Sequence, residues 1–245
     1  MENEIARSEK LKVIGELSAS FAHEIRNPLT TIRGFIQLLD TNQDQIFSEN
    51  KYYKIILHEI DRINGIVTDL MNMAKPNGDN QYELTNVNKI LDDIILLYDG
   101  QNSFNKVTIQ NYRDTTIPPF FAYGSKLKQV FINLIKNAFE AMPDGGLLSI
   151  KTIYYKEENI VEIIFTDTGF GMDQNTLSKL GKLYFTTKSS GTGLGLPMCY
   201  MLIEDMGGTI QVTSERGVGT TFTVRIDIHA ASYNSQENLV RSIAI

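Results

Sequence analysis

Apolar residues recur at every third or fourth position through the first forty residues of the chain. At roughly 100° per residue they fall on one stripe about 80° wide, which predicts an amphipathic helix over about residues 5–39. The stripe consists of Leu11, Ile14, Leu17, Phe21, Ile25, Leu29, Ile32, Ile36 and Leu39. Because a helix with one apolar face must bury that face, this segment has to pack against other apolar surface.

A second amphipathic helix is predicted after the polar turn TNQDQ at residues 41–45. It begins near Ser48, which is a suitable N-cap, and ends near Ala74. Its apolar stripe consists of Ile56, Ile60, Ile63, Val67 and Leu70. Two such helices with a short connection form an all-α antiparallel hairpin over residues 1–74. Since a lone hairpin leaves much of its apolar stripe in water, we expect two chains to pair as a dimeric four-helix bundle.

The pattern changes after a polar linker at residues 75–82, which contains KPNGDNQ. Residues 83–229 are predicted to form a two-layer α/β sandwich. The expected helices are Val87–Tyr98, Ser125–Ala141 and Leu196–Met206. The expected strands are Val107–Tyr112, Leu147–Tyr155, Ile160–Asp167, Thr209–Ser214 and Thr220–Ile228. Residues 230–245 carry no strong signal and are interpreted as a C-terminal tail, disordered or artefactual.

Composition excludes several classes of protein. The formal net charge of −6 argues against nucleic acid as a partner, because such binders carry a basic face. The single cysteine, Cys199, allows no internal disulfide and suits a reducing compartment. No apolar run reaches the ~18–20 residues that span a bilayer, and the charged N-terminus lacks the apolar core of a signal peptide. We therefore expect a cytoplasmic chain, which can still be part of a longer protein.

His23 lies on the first predicted helix, about 170° from the centre of the apolar stripe, so we expect it to face solvent. This placement argues against the interpretation of His23 as a buried structural histidine. The interpretation as an ordinary surface histidine stays open. Glu24 is adjacent, and Asn27 lies four residues on, on the same helix face. Pro28 removes the hydrogen bond to the carbonyl of Glu24 at a cost of roughly 3 kcal/mol, which indicates that the resulting bend is used.

The segment FAHEIRNPLTTIRGF at residues 21–35 resembles the phosphoacceptor box of the sensor histidine kinases, whose core is HExRNP. By that resemblance His23 is the nucleophile, Glu24 helps to polarise it, and Asn27 helps to position water in dephosphorylation. The chemistry is sound, because neutral imidazole is nucleophilic near pH 7 and a neighbouring carboxylate can fix its tautomer or take its proton.

The segment QVFINLIKNAFEAM places Asn133 and Asn137 four residues apart on one helix face. Such amides often serve only as solvated or capping groups, but their oxygens are also suitable ligands for Mg²⁺. The segment resembles the N box of the histidine-kinase ATPase domain, whose Bergerat or GHKL fold is shared with gyrase, MutL and a heat-shock chaperone. The resemblance implies that Asn137 contacts Mg²⁺, that Asn133 supports the ion and the phosphates, and that Lys136 reaches a phosphate.

Two glycine-rich segments complete the resemblance. DTGFGMD at residues 167–173 resembles the G1 box, which implies that Asp167 accepts a hydrogen bond from the adenine amine. Gly169 and Gly171 would let the backbone approach the base. KLYFTTKSSGTGLGLPM at residues 182–198 resembles the F and G2 boxes around a short lid. Here the resemblance implies that Phe185 packs the lid and that ATP is contacted by Thr186, Thr187, Lys188, Gly191, Thr192, Gly193, Leu194 and Gly195. The last glycines lead into a helix whose N-terminus can bind phosphate.

The boxes occur in the family order over about residues 8–228. The sequence of the first helix is most similar to that of the sporulation kinases of Bacillus-type bacteria. The resemblance implies an ATP- and Mg²⁺-dependent autokinase that phosphorylates His23 and then an aspartate on a response regulator receiver domain. It also implies a homodimer through the hairpin, phosphatase activity toward the regulator, a small inhibitor protein on the helical stem, and an N-terminal sensor region that anchors the full-length protein in a membrane.

Two other interpretations of the function stay open at this point. One is a degenerate scaffold that docks a receiver domain without catalysis, which is disfavoured because every box keeps its chemical residue. The other is an ATPase of the same superfamily that works on DNA. It is disfavoured by the acidic charge and by the HEIRNP helix, for which it has no use.

Overall fold

The computed structural model describes residues 25–37, 52–60, 63, 67, 82–99, 106–188 and 193–228. Two compact units divide the chain. The first comprises Met1–Asn77 with Thr186–Gly193, and the second comprises Gly78–Phe185 with Leu194–Ile245. None of the helices in the described ranges combines the length and the apolar character needed to cross a membrane.

The helical unit contains α1, described at residues 25–37, and α2, described at residues 52–60. The two helices contact each other through Phe35 and Tyr52, whose ring centroids are 5.3 Å apart. Pro28 lies within the described part of α1, whereas the carbonyl of Glu24, which would lose its hydrogen bond, lies outside it. Of the predicted apolar stripes, Leu29 is 50% exposed and Ile60 is 41% exposed. Both helices therefore keep apolar surface in contact with solvent.

The α/β unit has four helices and seven strands in its described residues. The helices are α3 (Val87–Asp99), α4 (Gly124–Glu140), α5 (Gln174–Leu177) and α6 (Gly195–Glu204). The strands are β1 (Tyr82–Thr85), β2 (Val107–Tyr112), β3 (Phe120–Tyr123), β4 (Gly146–Tyr155), β5 (Ile160–Asp167), β6 (Thr209–Glu215) and β7 (Gly219–Asp227). The fold class expected from the sequence, a helical unit followed by an α/β sandwich, is confirmed.

Five strands form one sheet in the order β2-β4-β5-β7-β6. Strand β2 runs parallel to β4, and the other neighbouring pairs are antiparallel. Strand β5 lies at the centre of this sheet. Its last residue, Asp167, is paired with Leu148 of β4 on one side and with Thr220 of β7 on the other. This register places an acidic side chain at the end of the central strand of the sheet.

Helices α3, α4 and α6 cover one face of the sheet, with α4 in contact with both of the others. The strands alternate accordingly, since Val161, Ile163 and Phe165 of β5 are buried while the residues between them are partly exposed. Phe131 of α4 packs on Phe165 with ring centroids 5.6 Å apart. The apolar faces of the strands and of the helices therefore pack together in a single core, as the sequence pattern predicts.

A second, two-stranded sheet pairs β1 with β3 in antiparallel register, from Tyr82↔Tyr123 to Thr85↔Phe120. Neither strand is predicted from the sequence pattern. Each has only four residues, and the partners lie far apart along the chain. Tyr82 packs against Phe121 and Tyr123, with ring centroids 5.9 and 5.0 Å away. The pairing therefore depends on tertiary contacts that no local pattern reveals.

Asp114 ties the end of β2 to β4 and α3. Its Oδ1 accepts hydrogen bonds from the main chain and the hydroxyl of Thr116 at 2.9 and 2.6 Å, and its Oδ2 accepts one from the Tyr154 N–H at 2.9 Å. Its own N–H donates to Thr152 Oγ1, and its carbonyl accepts from Asn88 Nδ2, both at 2.9 Å. The hydrogen bonds from Thr116 are the main reason why the pKa of the Asp114 carboxyl is lowered.

We expect Asp114→Ala to lower the free energy of unfolding by about 2 kcal/mol at pH 7, because several hydrogen bonds to a charged group are lost. A depressed folded-state pKa gives stability that is present above the unfolded pKa and is lost as the pH falls through the folded pKa. The difference from wild type should therefore shrink at acid pH, which urea unfolding at pH 7 and pH 3 would measure. Asp93→Ala, an exposed change on α3, should stay within about 0.5 kcal/mol.

Candidate functional site

Among the acidic residues that the structure describes, Asp167 is the most buried, with only 5% of its surface exposed. Its Oδ1 accepts hydrogen bonds from the N–H groups of Gly169 at 2.8 Å and Thr220 at 3.2 Å. Burial raises the pKa of the Asp167 carboxyl, and these two hydrogen bonds oppose the rise. Since both bonds use Oδ1, the other oxygen, Oδ2, is the atom that can accept a hydrogen bond from a ligand.

The loop after β5 is held in place by close backbone packing. The Phe170 N–H donates to the carbonyl of Ala141 at 3.1 Å, so this loop lies against the C-terminal end of α4. A Cβ at Gly169 would come within 2.6 Å of the same carbonyl oxygen. Gly171 has a φ of +61°, and a Cβ there would collide with the carbonyl of Glu215. The two glycines of the predicted G1 box are thus required by packing within the protein itself.

Asn133 and Asn137 lie on one face of α4, half-buried, as their spacing predicts. Asn137 Nδ2 donates to Asn133 Oδ1 at 3.4 Å. This long hydrogen bond uses one of the two N–H donors of Asn137, and Oδ1 of Asn137 takes no part in it. An amide oxygen is a donor atom that a magnesium ion accepts, so Asn137 fits the predicted metal contact.

Asn133 packs against the start of α6. A Cβ at Gly195 would lie 2.6 Å from Asn133 Nδ2 and 2.9 Å from Oδ1, so any other residue at this position would displace the Asn133 amide. Leu194, the N-cap residue of α6, is fully buried and provides no side-chain hydrogen bond to the first helical turn. Main-chain N–H groups at this helix N-terminus are accordingly suited to bind phosphate oxygens. The asparagines of α4 and the N-terminus of α6 therefore lie side by side.

The predicted lid residues are only partly described. Phe185 is half-buried, and the segment before it lies against α6, because a Cβ at Gly181 would come within 2.8 Å of the Tyr200 ring. The Lys188 N–H donates to Thr186 Oγ1 at 3.1 Å. Gly193 has a φ of +67°, which favours glycine. The predicted contact residues Gly191 and Thr192 lie outside the described residues, as do His23 and Glu24.

Two other predicted residues are exposed on helix surfaces. Lys136 Nζ lies 3.9 Å from Glu140 Oε1, one turn further along α4. This ion pair does not test the phosphate contact expected for Lys136, which stays a prediction. Asn27 is exposed on α1, which is compatible with its predicted role in dephosphorylation. Thr31 Oγ1 donates to the carbonyl of Asn27 at 3.2 Å.

Three residues at or near the site are not predicted from the sequence. Thr220 orients Asp167 through its main-chain N–H at 3.2 Å. Ser214 Oγ accepts from the Met172 N–H at 2.8 Å and lies 2.9 Å from Thr220 Oγ1, so it joins the loop after β5 to β6 and β7. Cys199 of α6 is buried beside Asn133. Their signal in the sequence is weak, because Thr220 and Ser214 act through other residues and a buried cysteine is common in protein cores.

The structure thus combines a buried carboxylate after a central strand, paired amides on the covering helix and a helix N-terminus that begins with glycine, which is the arrangement predicted from the sequence for an adenine nucleotide. Residues 123–230 match the family described as histidine kinase-, DNA gyrase B- and HSP90-like ATPase. Residues 13–79 match the His Kinase A (phospho-acceptor) domain. The chain belongs to the sensor histidine kinases.

Individual relatives support the matches to both domain families. Sporulation kinase E of Bacillus subtilis (strain 168) is 41% identical over 228 residues, which cover 93% of this chain and 30% of that protein. The histidine-protein kinase AtoS of Escherichia coli (strain K12) is 35% identical over 226 residues, 92% of this chain and 36% of that protein. The chain thus spans about a third of the length of these two relatives.

A solved structure supports the same assignment. The histidine kinase ThkA, crystallised in complex with the response regulator protein TrrA, has a TM-score of 0.75 and is 30% identical to this chain. The similarity covers 93% of this chain and 65% of ThkA. This similarity confirms the fold predicted from the boxes, which is that of a histidine kinase with a phosphoacceptor unit and an ATPase unit.

Proposed function

We propose that this chain uses ATP to phosphorylate its own His23 and then transfers the phosphoryl group to an aspartate on a response regulator receiver domain. The observation that carries the proposal is the presence of both units in one chain, with the intact HEIRNP box in the first and the buried Asp167 in the second. A scaffold without catalysis would need neither the buried carboxylate nor the paired amides.

Each residue of the ATPase unit has a separate task in the proposed reaction. Asp167 Oδ2 accepts a hydrogen bond from the exocyclic amine of adenine, which selects the base. The N–H groups at the start of α6 bind phosphate oxygens. Asn137 offers Oδ1 to Mg²⁺, with Asn133 behind it, and the ion supplies neutralisation of phosphate charge. Thr186, Thr187 and Lys188, with Gly191 and Thr192, would contact the phosphates from the lid.

The phosphoacceptor unit supplies the nucleophile. The unprotonated imidazole nitrogen of His23 forms a bond to the γ-phosphorus as the bond to the ADP oxygen breaks, and Glu24 holds the opposite ring nitrogen or its proton. The same phosphoryl group then passes to a carboxylate oxygen of the receiver aspartate, which restores neutral His23. Asn27 is placed to orient a water molecule, so we also propose phosphatase activity toward the regulator.

Incubation with γ-labelled ATP tests the proposed reaction. We expect protein-bound label that is lost in acid and survives alkali, because the phosphorus–nitrogen bond of phosphohistidine has that stability. Addition of a receiver domain should then move the label to the regulator. Absence of label on a chain that demonstrably binds ATP would refute the autokinase and favour the scaffold.

The regulator and the physiological setting follow from the relatives. The partner is proposed to be a response regulator because ThkA was crystallised with one, and sporulation is proposed as the process because the named relatives include sporulation kinases of Bacillus subtilis. We further propose a cytoplasmic location for these two units, an upstream sensor region with a membrane anchor in the full-length protein, and a small inhibitor protein that binds the helical stem.

A homodimer through α1 and α2 is part of the proposal. Its support is the apolar surface left on the helices, where Leu29 and Ile36 are 50% and 53% exposed. We expect the chain to have twice the monomer mass by light scattering at micromolar concentration, and Leu29→Glu with Ile36→Glu to shift it to monomer. A wild-type chain with the mass of a monomer would contradict this part of the proposal.

A further inference from the structure

Two consecutive backbone turns follow α5 and share Lys182. The Lys182 N–H donates to the carbonyl of Lys179 at 3.1 Å, and the Phe185 N–H donates to the carbonyl of Lys182 at 3.2 Å. Residues 179–185 therefore form a double turn. It leads directly into residues 186–188, which are predicted to contact the phosphates. Any displacement of the double turn would therefore move the start of that segment.

The double turn contains two residues with a left-handed backbone, one at the third position of each turn. Gly181 has a φ of +80°, which glycine adopts without steric cost. Tyr184 has a φ of +64°, which is unfavourable for a residue with a Cβ. Such a backbone persists only when the surrounding structure holds it in place. A rigid surface against which the double turn packs would supply that support.

The ring of Tyr200 provides such a surface. Tyr200 lies on α6 and is half-buried. A Cβ at Gly181 would lie 2.8 and 3.1 Å from two ring carbons of Tyr200, so the backbone of the first turn packs directly against the ring. Because α6 begins at the predicted phosphate site, this contact links the position of the double turn to that of the helix.

We propose that Tyr200 is a positioning residue for binding of the nucleotide phosphates, which acts by holding the double turn against α6. The inference rests on the proposed function and deepens it, since it assigns part of the discrimination between ATP and adenosine to a residue beyond the glycine-rich segment that ends at Met198. The adenine itself is assigned to Asp167, whose hydrogen bonds involve neither the double turn nor α6. Loss of the Tyr200 ring should therefore affect the phosphates and spare the base.

The ratio of affinities for a non-hydrolysable ATP analogue with Mg²⁺ and for adenosine, both measured by calorimetry, tests the inference. Tyr200→Ala removes the ring, and the ratio should fall about tenfold, which corresponds to the loss of one or two hydrogen bonds to phosphate. Adenosine affinity should remain within about twofold of wild type. Tyr200→Phe keeps the ring and should keep the ratio. Met201→Ala, at the next position of α6 and also half-buried, should keep it as well.

A double-mutant cycle tests the contact itself. Gly181→Ala introduces a Cβ against the ring in the wild-type background, where we expect the ratio to fall about fivefold. In the Tyr200→Ala background the ring is absent and the turn has already lost its support, so the further fall should be within about twofold. A fall of equal size in both backgrounds would show that the ring and the turn are not coupled, and would overturn the inference.

A wild-type ratio in Tyr200→Ala, or an equal fall in Met201→Ala, would also contradict the proposed role of Tyr200. Tyr200→Leu keeps apolar volume without a planar ring and serves if the alanine variant does not fold; a wild-type ratio in that variant would contradict the role in the same way. A wild-type chain that binds the ATP analogue no more tightly than adenosine would refute the phosphate contacts and this inference together. Labelling of His23 by ATP reports on the proposed autokinase independently.

Discussion

Replacing His23 by glutamine is expected to reduce acid-labile label from γ-labelled ATP to background. Glutamine has similar size and polarity but no nucleophilic ring nitrogen, so the phosphoryl group has no acceptor. Binding of an ATP analogue should remain at the wild-type value, because every residue assigned to the adenine and the metal lies in the α/β unit. Electrophoresis at alkaline pH and calorimetry measure the two quantities.

His58 provides the matched control. It is an exposed histidine of α2 that is followed by glutamate, like His23, but its surroundings LHEID lack the asparagine and the proline of the HEIRNP box. His58→Gln should therefore be labelled like the wild type. Persistent label in His23→Gln, or its loss in His58→Gln, would show that the phosphoacceptor has been assigned to the wrong residue.

The elements of the α/β unit could be predicted because most are amphipathic over several turns or alternations. Strand β5, for instance, alternates buried and half-buried residues from Ile160 to Asp167, and the sequence predicted the same bounds. Strands β1 and β3 escaped prediction because they have four residues each and are stabilised by each other across a long stretch of chain. The parallel pairing of β2 with β4 also lacks a local signal, since register is decided by the assembled sheet.

The candidate site was predictable to the extent that its residues have distinctive chemistry. Asp167 and the paired asparagines could be found because a buried carboxylate or amide in an apolar pattern requires an explanation. Thr220 could not, because it acts through its main-chain N–H, which is the same in every residue except proline. Cys199 could not, because a buried cysteine is common in protein cores and carries no distinctive signal.

The carboxylate of Asp167 gives the second large expected effect. Asp167→Asn should weaken binding of ADP at pH 7 by about a hundredfold, the equivalent of a hydrogen bond to a charged group near 3 kcal/mol. The N–H groups of Gly169 and Thr220 both donate to Oδ1, so an asparagine would keep its oxygen there and place its NH₂ group where Oδ2 was. Two donors would then face each other, the new amide and the amine of adenine.

The fold should tolerate this change. Burial raises the pKa of Asp167, so the native state binds its proton more tightly than the unfolded chain does. Stability contributed by such a group is present at low pH and is lost as the pH rises through the folded pKa. At pH 7 the buried charge is therefore unfavourable, and Asp167→Asn should unfold at the same urea concentration as wild type or a higher one. Asp173→Asn, in the same loop and exposed, should change neither stability nor ADP affinity.

The same pKa shift predicts how ADP binding depends on pH. As the pH falls, wild-type affinity should begin to fall above the pH at which an ordinary aspartate would titrate, because the Asp167 carboxylate gains its proton earlier. Asp167→Asn has no proton to gain and should show no such decrease. A parallel decrease in both proteins would assign the titration to another group.

The identity of the base separates a hydrogen bond from a general effect on the loop. Guanine carries an accepting oxygen where adenine carries its donating amine, so the NH₂ group of Asp167→Asn would suit guanine better. We expect the ratio of ADP to GDP affinity to fall markedly in Asp167→Asn and to stay at the wild-type value in Asp173→Asn. If both nucleotides were weakened by the same factor, Asp167 would act by shaping the loop of Gly169 and Gly171, and its direct contact with adenine would be refuted.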